Sequence, residues 1–345
     1  MTRGSRPLFR VAVIVASVVA AIVGSVLLVT QRSSKKASGP TGSTAAPVLP
    51  PGGKVVARIR VGRGNVVLGL RGGGPLAAGE GAVWAMSDAT STLMRIDPAR
   101  NAVVARIEVG TPEAVAAGNG AVWLTHPSAN TVTRVDPATN TVTATIPVGP
   151  KPQGIAVSPG AVWVANGNGP SVSRIDPATN RVVATIRVGP KDACCAEHTD
   201  LIASPRAVWV ALANGKSIVH VDPATNSVVG TTRVGYPPCG LLAADETGVW
   251  WTGGHCGNVV ARLDARTNRL TTNLAEVNPV GIELAFGSVW VANEGSGNID
   301  RIDPHSGRVV ASLHVVGLPE LLSVGFGSVW VVDFYGRVLR IEPQR

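Results

Sequence analysis

Seven Val-Trp steps recur along the chain, with tryptophans at 84, 123, 163, 209, 250, 290 and 330, separated by 39, 40, 46, 41, 40 and 40 residues. A period near 40 means that one supersecondary unit is stacked repeatedly, and it rules out most folds before any composition is considered. An acidic turn follows each step: Asp97, Asp136, Asp176, Asp222, Asp264, Asp303 and Glu342. In the third unit four short runs can be read, GIAVS (154–158), AVWVAN (161–166), SVSRID (171–176) and RVVATIRV (181–188). They are short, rich in Val and Ile, and partly alternating, which is the pattern of strands and not of helices. DPATN joins the last two runs, with Asp able to accept from its own turn's N–H groups and Pro fixing φ at the next position.

Four antiparallel strands per unit of about 40 residues predict a β-propeller blade. A solenoid would need caps at both ends, whereas a closed ring removes the open edge. The chain ends favour the ring. KVVARIRV (54–61) is a fourth-type strand with no preceding three, and the last unit, ending VVDFYGRVLRIEP (331–343), lacks its fourth. The fold expected is therefore all-β: seven blades of four strands over 54–345, closed by the N-terminal strand joining the C-terminal blade. Aromatic residues make up only 4% of the chain, so one Trp per unit is expected to pack between blades rather than to stack on a ligand.

The N-terminal segment has a different grammar. Up to residue 54 there are seven basic side chains and no acid, against a net charge of +9 for the whole chain. The body is therefore nearly neutral, and its basicity gives no reason to expect a nucleic-acid partner. Residues 1–10 form a basic head, and 11–29, VAVIVASVVAAIVGSVLLV, are an unbroken apolar run. At about 1.5 Å per residue that run nearly spans a hydrocarbon core of about 30 Å. The expectation is a single-pass transmembrane signal anchor over 11–30, or a cleaved signal peptide with secretion. Residues 31–53, rich in Ser, Thr, Ala, Pro and Gly, are expected to be a flexible linker.

The turns between second and third strands vary from unit to unit, and variety on one rim of a fixed ring is where function is expected. Candidate residues at that rim and at the mouth of the central channel are Glu113, His126, Gln153, Asn166, Asn293, Glu294, Glu320 and Asp333. A polar-lined, water-filled channel would place the same residues there without any ligand. All four cysteines, with His198 and His255, fall in the fourth and fifth units. A Cys239–Cys256 disulfide is expected, while Cys194 and Cys195 could pair, bridge elsewhere or stay free. The same six side chains could instead ligate zinc or copper, although there is no Cys-x-x-Cys pair.

Units such as GIAVSPGAVWVANGNGPSVSRIDPATNRVVATIRVG resemble the repeats of the YVTN/YncE-like β-propellers and of the streptogramin (virginiamycin) B lyase-like propellers, over about 54–343. The resemblance implies seven blades and, in the lyases, a divalent metal and ring opening of a cyclic depsipeptide lactone by elimination. It associates catalysis with a His in PHGI and a Glu closing a WFTE-like strand. Here the His positions fall on Gln153, Cys239 and Val280, and the Glu positions on Asn166, Gly253 and Asn293, with Glu294 one step late. The functional expectation is an extracytoplasmic, membrane-tethered binding or sensing module. Its partner would be an envelope protein, a cell-wall polymer or a small molecule, and no cofactor is predicted for it unless the lyase reading brings a divalent metal. The alternative is a divalent-metal-dependent lyase.

Overall fold

The computed structural model describes residues 50, 52–61, 75–87, 91–190 and 199–344. These form seven four-stranded antiparallel sheets. The third blade, whose strands are Pro152–Ser158, Ala161–Asn166, Ser171–Asp176 and Arg181–Arg187, shows the common plan. The innermost strands touch in sequence around the axis, from Leu76–Gly79 through Val115–Gly118, Pro152–Ser158, Thr199–Ala203, Leu242–Ala244, Pro279–Ala285 and Pro319–Gly325 and back to Leu76–Gly79. Gly53–Arg60 pairs antiparallel with Arg337–Pro343, so the seventh blade takes its outer strand from the N-terminal end of the propeller. Ring and closure are as the sequence predicts.

The DPATN turn follows from its residues. Asp176 Oδ1 accepts the Ala178 N–H at 2.9 Å, and Asn180 closes the corner at φ 56°, a left-handed conformation that Asn tolerates better than most side chains. Past each turn the outer strand bulges. In the third blade Arg174 pairs with Ala184 and Ile175 with Val182, which leaves Val183 unpaired, and the same shift recurs in all seven blades. A bulge twists an exposed edge away from flat pairing with a second sheet.

The apolar core is divided among the seams between blades. Trp163, Ala165 and Ile186 of the third blade pack on Leu201, Val208 and Val210 of the fourth, and equivalent clusters fill the other seams. The repeated tryptophans lie at these seams and are buried, as expected of packing residues. Trp251 faces the opposite side of its strand from Trp250 and is equally buried, against the fourth blade.

The expected membrane attachment is corrected. Among the described residues no helix is long and apolar enough to cross a membrane. Among the described residues from Gly53 onward the chain forms strands joined by turns and links, and the one helical turn is the three-residue Gly254–Cys256. The strands satisfy their backbone groups by pairing with one another. The head, the apolar run 11–29, residues 31–49 of the linker, Cys194, Cys195 and His198 lie outside the described residues. The single-pass anchor, the membrane as partner, the tethered localisation and the envelope partners drawn from it are withdrawn.

Candidate functional site

The rim that carries the turns between second and third strands also carries the links between blades, and the two sets of loops hydrogen-bond to each other. In the second blade Thr125, two residues after Trp123, donates its hydroxyl to Gln153 O at 2.9 Å and accepts the Ala114 N–H at 3.0 Å. Thr252, two residues after Trp250, repeats the clip, with Val280 O at 2.7 Å and the Leu241 N–H at 3.1 Å. Each hydroxyl ties a second strand to the starts of two innermost strands, that of its own blade and that of the next, and so fixes the backbone that presents the mouth residues.

Several candidates are engaged in scaffold. Asp333 is fully buried and holds Arg337 by its Nε at 2.7 Å and its Nη2 at 2.6 Å, while its other oxygen accepts the Tyr335 and Arg337 N–H groups. That carboxylate pins a turn and has no capacity left for a ligand. Asn166 donates to Ser171 and Ser173 at 3.1 and 3.0 Å, and it lies so close beneath Gly149 that any Cβ there would overlap its carboxamide. Gln153 is fully buried and donates to Glu113 at 3.4 Å. Glu320 is buried at the start of its innermost strand. His126 is buried as well, and that burial holds its imidazole below the ordinary range.

A second group gathers where the fifth and sixth blades meet. Cys239 and Cys256 are joined by a disulfide with Cα atoms 5.9 Å apart, fixing the turn Gly254–Cys256 that carries His255. His255 Nε2 lies 3.9 Å from Glu294 Oε2, and the same carboxylate oxygen accepts Asn278 Nδ2 at 2.7 Å. Asn278 is positioned by Asn258, whose Oδ1 accepts its backbone N–H at 3.1 Å. Two residues upstream, burial and then the charge of Asp300 push the Glu276 carboxyl up to about 7. Burial also raises Asp300, against hydrogen bonds from Ser312 and from Asn293, whose Nδ2 donates to it at 2.6 Å. The site therefore offers an imidazole beside a carboxylate and, two residues before Asn278, the Glu276 carboxyl, whose neutral form is favoured by burial and by the Asp300 charge.

Glu276 and Asp300 were not singled out from the sequence, nor were two acids on the innermost strands. Asp200 accepts the Leu242 N–H at 3.1 Å, and burial pushes it up to about 7 despite its backbone hydrogen bonds. Glu283 is pushed up to about 8 by the surrounding protein, with the Asp200 charge adding to the effect, although its surface is not fully closed to water. A signal for them exists in the repeat. Opposite a Trp the first strand carries Ala77, Ala116, Ala156 and Ala243, but Glu283 in the sixth blade. Asp300 occupies the register position of Thr133 and Ser173.

The divalent ion that the resemblance implies does not fit these residues. Of the His positions, Gln153 is an amide, Cys239 is consumed in the disulfide and Val280 is apolar. Of the Glu positions, Asn166 and Asn293 are buried amides and Gly253 has no side chain. Among the described residues no three His, Cys, Asp or Glu side chains are grouped so as to hold a metal ion.

No family model matches the sequence, and no curated protein matches it. Solved structures do match in fold. A streptogramin B lyase has a TM-score of 0.65 at 16% identity, covering 82% of this chain and 97% of that one. A virginiamycin B lyase from Staphylococcus aureus gives 0.64 at 15% identity, covering 81% and 98%. Hydrazine synthase from Kuenenia stuttgartiensis gives 0.62 at 15% identity, covering 88% and 99%. Proteins of different activity share this architecture, and at such identities the likeness is one of fold: this chain is a seven-bladed propeller built on the plan of the streptogramin B lyases.

Proposed function

We propose that the propeller is a lyase-like enzyme acting on a small ester- or lactone-containing ligand at the mouth between the fifth and sixth blades. The observation that carries this is the chain His255, Glu294, Asn278, with the Glu276 carboxyl two residues before Asn278. The fold it shares with the streptogramin B lyases supports the reading. In an elimination a base removes a carbon-bound proton while the alkyl C–O bond of the ester breaks. An alkene and a carboxylate form, and no water is consumed. His255 is the base, Glu294 stabilises the imidazolium that results, and the Glu276 carboxyl, pushed up to about 7 chiefly by burial, donates a hydrogen bond in its protonated form to the departing carboxylate. No step is routed through a metal ion, because the residues present do not supply its ligands.

The test is incubation of the full chain with quinupristin, with and without chelator, followed by mass spectrometry. Elimination gives a linear product of unchanged mass, whereas hydrolysis adds a water. His255→Gln should slow turnover by about a hundredfold or more, the usual range for loss of a general base. Absence of turnover, or turnover indifferent to His255→Gln, overturns the assignment. A second reading, binding without turnover, is favoured by the amides and the disulfide at the lyase motif positions. Saturable binding of the same ligand with no product would support it.

A further inference from the structure

On the far side of the ring from His255, a cavity of about 680 Å³ opens across the first three blades. That volume lies within the range of small-molecule sites, about 300–1,000 Å³. Its apolar wall is made by Met86 and four prolines, Pro75, Pro112, Pro127 and Pro150. Proline rings are rigid and lack an N–H, so this wall favours a ligand's hydrocarbon surface and loses little entropy on binding it. The charged residues lining it are Glu113 and Lys151.

Lys151 is the informative one. It sits at the corner before Pro152 with φ 55°, and its backbone N–H donates to Asn130 Oδ1 at 2.8 Å. Three blades on, the matching corner before Pro279 is built the same way. There Asn278 has φ 52°, and its N–H donates to Asn258 Oδ1 at 3.1 Å. The following chain reverses identically, with Gly167 N–H donating to Lys151 O and Glu294 N–H donating to Asn278 O. Asn suits the left-handed region, and Lys adopts it only rarely. At one of two equivalent corners the chain carries a long cation in place of the conformationally suited amide. That cation is half-buried, lines a cavity, and makes no ion pair among the described residues.

We propose that this cavity binds a short peptide-like zwitterion with an apolar body. Lys151 receives the ligand's carboxylate, Glu113 faces its ammonium while keeping Gln153 as a hydrogen-bond partner, and the proline and methionine wall takes the side chains. The site is separate from the His255 mouth and does not depend on the reading given for it.

The test is calorimetric titration of the full chain with the tripeptide Leu-Pro-Leu, its N-acetylated form and its C-terminal amide. The free tripeptide should bind, and each cap should weaken binding by about tenfold or more, as loss of a charge-assisted contact does. Lys151→Asn removes the ammonium while placing the favoured residue at the corner, so this variant should melt no lower than the parent. It should lose about tenfold for the free tripeptide and nothing for the amide, whose carboxylate is already gone. Glu113→Gln should show the mirror pattern toward the acetylated form. Absence of binding, equal binding of the capped forms, or parent-like binding by a stably folded Lys151→Asn would overturn the proposal.

Discussion

The first three blades and the fifth blade come from the same repeat and are held in different ways. In the first three, the strand-three arginine lies over its own blade's tryptophan: Arg95 on Trp84 at 5.6 Å, Arg134 on Trp123 at 5.4 Å and Arg174 on Trp163 at 5.0 Å. Each guanidinium then reaches the left-handed asparagine in the next blade's turn, Asn140, Asn180 and Asn226, at 3.2, 3.0 and 2.8 Å. Arg340 on Trp330 does the same to Asn101 across the ring closure. The seams on either side of the fifth blade lack this staple. On one side His220 replaces the arginine, stacking on Trp209 at 4.3 Å with its Nε2 buried and unpartnered, while Asn268 is taken by Thr232. On the other, Arg262 turns to Thr247 and Thr271 of its own blade, because the sixth blade has Gly307 where others have Asn. The fifth blade has instead a second buried indole, Trp251, and the Cys239–Cys256 disulfide.

The comparison teaches that the staple is a three-residue device spanning two units. It needs Trp and Arg in register on one blade and Asn at the turn of the next, and changing any one residue transfers the seam to other forces. The largest test is Trp163→Ala. Removing a fully buried indole should cost about 3–5 kcal/mol in denaturant unfolding, from lost burial and the cavity left behind. It also leaves Arg174 without its platform, so its loss should exceed that of Trp209→Ala, whose seam has no arginine to strand. Equal losses would mean that the staple contributes nothing beyond packing.

Next in size is the disulfide. Cys239→Ser combined with Cys256→Ser should cost about 2–4 kcal/mol. Amide exchange should quicken across 242–275 while the first three blades stay protected. Uniform quickening would show that the fifth blade is not separately held.

The smallest effect is expected at His220→Arg. If the missing cation over Trp209 is what distinguishes that seam, restoring it should stabilise by about 1 kcal/mol. The pH profile sharpens the test. Burial holds His220 below its ordinary range, against a smaller raising effect from Asp222, so the folded protein prefers the neutral ring. Its contribution is present above the unfolded pKa of about 6.5 and is lost as pH falls through the lower folded value. The parent should lose melting temperature on acidification through this range, and His220→Arg should lose less of it. Parallel profiles would remove His220 from the account.

The period of the Val-Trp steps, the unmatched strands at the two ends and the DPATN corners determined the ring, its closure and the burial of the tryptophans. Each is a local pattern repeated often enough that one arrangement satisfies every copy. The site was less legible. Asp333 reads as a mouth acid in sequence and proves to be locked onto Arg337, because the tight turn between them folds the guanidinium and its own N–H groups back onto the carboxylate. His255, Glu294 and Asn278 are separated along the chain and meet because the disulfide-held turn of one blade lies against the link into the next. Lys151 looks like an ordinary link residue until its backbone angle is matched with that of Asn278. Repetition fixes what every blade shares. The chemistry lies in the residues that depart from the repeat, and their partners are set by distances across blades that one-dimensional spacing does not encode.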